Sequence, residues 1–205
     1  MTSKTKYKTL LKHDDISLVK LYKNIFTLGE CSELTGLLLY KSGINWIELT
    51  NNLGQTRSIT AFSTGRRSKY IKSDPHPISK HMDIFSIINP TLTDLFREMD
   101  ESGDIRDRNI DQWTCYLYMD GDDYSPEISM DIQTPDTPIV IIVLGCDRNV
   151  YIKSKKTDEI IVNKVIEEGS VLFIFEPFDK YYTYQVPMVE CCSLHIQMFG
   201  NFIKY

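Results

Sequence analysis

Residues 190–198, ECCSLHIQM, alternate in the way a β-strand uses. Successive strand side chains point to opposite faces, so Cys192, Leu194, Ile196 and Met198 share one face and Cys191, Ser193, His195 and Gln197 share the other. The apolar set needs a packed layer over it, and helices supply one. The mixed polar set asks for a cavity or a polar interior. A jelly roll with helices on one side and a central pocket on the other satisfies both faces of this strand.

Working outward, residues 114–118, 139–144, 150–153, 160–166 and 170–175 are short runs, mostly β-branched or aromatic, parted by turn residues. Upstream the texture is helical. A helix is expected over 28–42, where Thr27 and Glu30 have capping-box spacing, Cys31, Leu34, Leu37 and Leu38 form a stripe, and Gly43 stands at the stop. Residues 45–49 read as a short strand. Residues 50–83 read as a long polar loop with one strand near 58–62. A second helix is expected to start at Asn89-Pro90 and end near Gly103, with Leu92, Leu95, Phe96 and Met99 at helical spacing. Residues 1–15 read as a flexible tail and 16–205 as one domain. The fold class is α+β, a double-stranded β-helix (jelly roll) with N-terminal helices packed on one sheet.

Hydrophobic residues make up 42% of the 205-residue chain and charged residues 25%, which argues for a globular core and against disorder. The formal net charge of −5 disfavours a general nucleic-acid or membrane-surface binder, because phosphate contacts consume Lys and Arg. The basic N-terminus lacks the apolar core of a secretory signal, and no stretch is long enough to span a bilayer. The five cysteines, with Cys191 and Cys192 adjacent, do not read as a disulfide framework, and no CxxC spacing suggests zinc. An intracellular protein with reduced thiols is expected. Ala61 is the only alanine, which suggests an AT-rich genome such as that of a large DNA virus. Host cytoplasm, nucleus or virion would then be its location.

Four segments in order carry a family resemblance. Residues 118–131, YMDGDDYSPEISMD, resemble the tyrosine and D-G-x-D turn that lead into the H-x-D of AlkB-like Fe(II)/2-oxoglutarate dioxygenases. Residues 138–152, PIVIIVLGCDRNVYI, are similar to that family's strand, L-G-x-x-R turn and strand. Residues 168–187 resemble the segment ending in H-x-[VL]-P. Residues 190–197 resemble the closing strand that carries two arginines. More loosely, residues 22–49 look like the opening strand, helix and Trp-containing strand. The resemblance spans roughly residues 20–200.

The resemblance implies a jelly roll whose reactive positions have all changed. Ile128 and Met130 stand at the first His and Asp positions, and Tyr184 at the distal His. Cys191 and Gln197 stand where arginines would grip 2-oxoglutarate. Non-haem Fe(II) asks for two imidazoles and a carboxylate, and neither Ile nor Met replaces them. Tyrosine ligates iron as a phenolate, which an unperturbed phenol becomes only near about pH 10. A dianion without a guanidinium fork would lack its counter-charge. The expected protein is therefore a catalytically inactive relative with no cofactor and no catalytic or metal-binding residue. It would serve a structural or protein-interaction role.

Two alternatives belong to other classes. In one, Tyr118, His195 and Asp131 line a residual pocket, and His195 with a carboxylate rebuilds a metal site for an active or altered dioxygenase or demethylase acting on nucleic acid. In the other, Arg57, Arg66, Arg67 and Lys69 form a nucleic-acid surface without chemistry. A protein partner is expected ahead of nucleic acid, and no membrane. The plainer reading of His195 is a hydrogen-bonded interior histidine, and of the basic loop a solvated one. His13, His76 and His81 are expected at the surface.

Overall fold

Residues 139–144 and 171–174 are apolar without a break, which suits strands covered on both faces. The computed structural model describes residues 7–40, 44, 46–50, 56–65, 82–99, 110, 112–118, 138–175, 177–187 and 195–201. In it β6 (Ile139–Gly145) and β9 (Val171–Ile174) are paired antiparallel at the centre of a sheet. Ile139, Ile141, Val143, Leu172 and Ile174 face one core, and Val140, Ile142, Leu144, Val171 and Phe173 the other.

The first core lies between two sheets. The larger has eight strands in the order β1-β2-β9-β6-β11-β5-β4-β3, and the smaller three in the order β10-β7-β8. Their remaining members are β1 (Tyr7–His13), β2 (Ile16–Tyr22), β3 (Ile47–Thr50), β4 (Thr56–Gly65), β5 (Gln112–Tyr118), β7 (Arg148–Ser154), β8 (Ile160–Ile166), β10 (Tyr182–Gln185) and β11 (His195–Asn201). The second core lies between the large sheet and two helices, α1 (Leu28–Tyr40) and α2 (Met82–Met99). A short α3 (Phe178–Tyr181) leads into β10. This is the expected jelly roll with helices on one sheet.

Helix α1 starts where the capping box predicts. The Thr27 backbone N–H donates to Glu30 Oε2 at 2.7 Å, and the Glu30 N–H donates to Thr27 Oγ1 at 3.3 Å. Cys31, Leu34 and Leu38 are buried, and each leucine contributes on the order of 1.5–3 kcal/mol by leaving water.

Three expectations change. Residues 7–13 are not part of a flexible tail: they form β1, an antiparallel hairpin with β2. The turn is Asp14-Asp15, with φ of 46° and 67°. Aspartate tolerates this left-handed region, so a two-residue hairpin forms without the glycine that usually marks one. Accordingly His13, expected at the surface, is half-buried on β1, stacks on Tyr181 at 4.2 Å between centroids and lies 3.0 Å from the Tyr182 hydroxyl. Thirdly, α2 begins at Met82, and Pro90 sits inside it rather than at its start. Ile84, Phe85 and Ile88 extend the buried stripe of Leu92, Leu95 and Phe96 one way along the helix, so packing outweighs the backbone bond that proline cannot make.

Gly169 closes the turn between β8 and β9. Its φ is +74°, and an added Cβ would lie 2.5 Å from the Phe26 carbonyl oxygen. The same residue donates to Val143 O and accepts from the Ile25 and Phe26 N–H groups. Gly169→Ala is expected to cost at least about 2 kcal/mol, strain and overlap together, read as a lowered denaturant midpoint. No helix among the described residues is long and apolar enough to cross a membrane.

Candidate functional site

β11 lies between β5 and β6, so its backbone is paired along both edges, and His195, Ile196, Gln197 and Met198 are buried on the two faces of the large sheet. Ile196 and Met198 join the helix-side core, as the alternation of the strand predicts. His195 and Gln197 occupy the opposite face, and both are fully buried. From the small sheet, the fully buried Tyr184 approaches the same place on β10, which pairs with β7. Arg148 enters from the start of β7 and is 2% exposed.

The Cys146 carbonyl, His195 and Gln197 form a hydrogen-bonded chain. His195 Nδ1 lies 2.9 Å from the Cys146 carbonyl oxygen, which only accepts, so Nδ1 carries the ring proton. Nε2 is then the acceptor, and Gln197 Nε2 donates to it at 3.0 Å. Burial pulls the His195 pKa down to about 4 from 6.5, the bond to Cys146 opposes this, and the nearby Arg148 charge lowers it further. The ring is neutral at physiological pH. Burial also drives the Tyr184 phenol well above its ordinary range, against the opposing influence of the Gln197 side chain beside it. Arg148 donates from Nε and Nη2 to the Pro187 carbonyl at 3.3 and 3.2 Å.

A second set of bonds fixes the turn beside this chain. The Gly145 N–H donates to Glu168 Oε1 at 2.9 Å, and the Glu168 N–H donates to Asp147 Oδ1 at 3.0 Å. Cys146 in this turn is disulfide-bonded, against the expectation that all thiols are reduced. Cys31 and Cys115 are free and buried, so the bonded partner lies outside the described residues. Burial raises both free thiols, Cys31 to about 11, which suits inert core cysteines.

Of the expected site residues, the structure brings Tyr184, His195 and Gln197 together. Tyr118 ends β5 with its backbone opposite His195, and its side chain is outside the description. Ile128, Met130, Asp131, Cys191, Arg66, Arg67 and Lys69 lie outside the described residues. Arg57 lies on β4, with its side chain not described. The Cys146 carbonyl was not foreseen, and as a backbone group it leaves no mark in the sequence. Arg148 was visible only as part of an L-G-x-x-R turn.

The described groups do not fit non-haem iron. Both nitrogens of His195 are engaged, Tyr184 is held as a phenol, and Gln197 is a neutral amide. Among the described residues no three His, Cys, Asp or Glu side chains converge as metal ligands.

The chain matches no protein-family model and no curated protein. Solved structures do match its shape. The structure of OsALKBH1 has a TM-score of 0.53 at 10% identity, covering 89% of this chain and 97% of that one. An oxidoreductase of the 2OG-Fe(II) oxygenase family from Burkholderia pseudomallei gives 0.56 at 13%, covering 89% and 84%. A prolyl hydroxylase from Trichoplax adhaerens, in complex with a hypoxia inducible factor oxygen degradation domain peptide fragment, gives 0.52 at 11%, covering 89% and 83%. The chain has the 2-oxoglutarate oxygenase fold.

Proposed function

We propose that this chain is a non-catalytic protein built on the 2-oxoglutarate oxygenase fold and used as a structural or protein-interaction component. The observation that carries this reading is the barrel centre. There Tyr184, His195 and Gln197 are fully buried and neutral, and the hydrogen-bonding positions of the His195 ring are taken by Cys146 and Gln197. A site for Fe(II) and a 2-oxo acid needs exposed lone pairs and a cation turned to the far carboxylate, whereas Arg148, whose charge reaches His195, turns Nε and Nη2 to the Pro187 carbonyl. Tyr184 and Gln197 stand at two positions where the sequence resemblance implies a ligand and an arginine. The resemblance adds Ile128, Met130 and Cys191 to the same list of exchanges.

The test is an anaerobic Fe(II) titration of the pure full chain, followed by an assay for conversion of 2-oxoglutarate to succinate. The expected result is no saturable iron site and no succinate above the protein-free rate. Micromolar iron binding with turnover would overturn the reading. A defined site that disappears in His195→Ala would favour a rebuilt metal centre instead.

A further inference from the structure

Seven large apolar side chains are exposed among the described residues, and three of them lie on β8: Ile160, Ile161 and Val165, at 47%, 48% and 44%. β8 ends the three-stranded sheet, and its pairing among the described residues is with β7 alone. Among the described residues no strand lies along its other edge, which carries backbone donors and acceptors next to β-branched side chains that favour pairing.

The strand is close to a palindrome. Read from either end of IIVNKVI about Asn163, Ile160 answers to Ile166, Ile161 to Val165, and Val162 to the stem of Lys164. Ile161, Asn163 and Val165 share the exposed face by alternation, and all three are exposed. A two-fold axis through Asn163 would lay β8 antiparallel against its own copy and keep that face on one side. Ile161 of each copy would meet Val165 of the other, on both sides of the two Asn163 side chains. Such an isologous contact requires a self-complementary patch, and this strand has one.

At its ends the pairing brings carboxylates together, and a lysine beside them offsets part of the repulsion. In this register Glu159 of one copy approaches Glu167 of the other. Glu167 is already ion-paired with Lys23, whose side chain is 41% exposed. The incoming carboxylate thus meets a cation as well as a carboxylate, and Lys23 is shared between two acids.

We infer that β8 is a self-association edge: two copies of the chain join their three-stranded sheets by antiparallel pairing of β8 about Asn163. This does not depend on the barrel being inert, so the iron titration and the experiment below fail or succeed separately. The experiment is sedimentation equilibrium of the full chain over a dilution series. The mass is expected to rise from 23.8 kDa toward twice that value with concentration. Ile161→Lys and Val165→Lys, both at exposed positions, are each expected to hold the mass at that of one chain with an unchanged circular dichroism spectrum. Asn163→Cys is expected to give a covalent dimer on mild oxidation, whereas Thr183→Cys, at the far side of the same sheet, gives none beyond the parent chain. A single-chain mass at every concentration would overturn the inference. So would a dimer that survives both lysine variants or that Asn163→Cys does not cross-link, since either outcome places the contact elsewhere.

Discussion

Phe173→Ala is expected to lower the free energy of unfolding by about 3–5 kcal/mol. Phe173 is fully buried at the centre of the helix-side core. Its ring meets Tyr22 edge-on at 5.5 Å and Phe96 of α2 at 5.7 Å, and stacks near Phe175 at 6.4 Å. Its strand neighbours are Lys20 on β2 and Val140 on β6, so the backbone around it is held from both sides and collapses little when the ring is removed. The loss therefore combines the transfer of the ring with an unfilled cavity. With a total stability of roughly 5–15 kcal/mol for a domain, this is a large fraction. Urea titration checks it: the midpoint should fall while the slope stays that of the parent. A change under about 1 kcal/mol would mean that α2 does not seat on β9 as described.

The second large effect is on pH. His195 is neutral in the fold, with a pKa of about 4 against 6.5 for an exposed ring. Between these values the unfolded chain takes up a proton that the folded chain refuses. The contribution of this residue is complete above pH 6.5, declines as the pH falls, and is gone below about 4. Its size is about 3 kcal/mol. The stabilities of the parent and of His195→Gln should converge or cross as the pH is lowered through this window, because the variant has no proton to gain there. Carboxylates elsewhere titrate in both proteins and cancel in the difference. Parallel curves from pH 7 to 4 would contradict a buried neutral His195.

The large outlines were readable before the structure. Strict alternation placed Ile196 and Met198 toward the helices and His195 and Gln197 away from them, because strand parity leaves no other choice. Thr27 and Glu30 announced α1 through bonds that lie within three residues. What escaped was set by tertiary contact. The Asp14-Asp15 turn has no glycine to signal it, and β1 is held partly by His13 against Tyr181 and Tyr182, far along the chain. Pro90 looked like a helix start, and only the stripe through Ile84, Phe85 and Ile88 shows that the helix runs through it. β10 is four residues long, too short for periodicity to register. At the site, Tyr184, His195 and Gln197 could be singled out one by one. The joining of His195 to the Cys146 carbonyl depends on a contact 49 residues apart.

That joining bears on how faithfully the chain finds its fold. A slip of β11 by one residue against β5 and β6 would preserve most backbone pairing, and apolar residues of the neighbouring strands line both faces of the sheet there. It would, however, turn His195 and Gln197 into the helix-side core, away from Cys146, and send Ile196 and Met198 toward Tyr184. Misregistered chains would strand several polar groups in hydrocarbon, whereas the native register satisfies the His195 ring. The polar row in the barrel thus acts as a key that only one alignment of the last strand fits, a selective pressure on assembly that holds whether or not the barrel has any chemistry left.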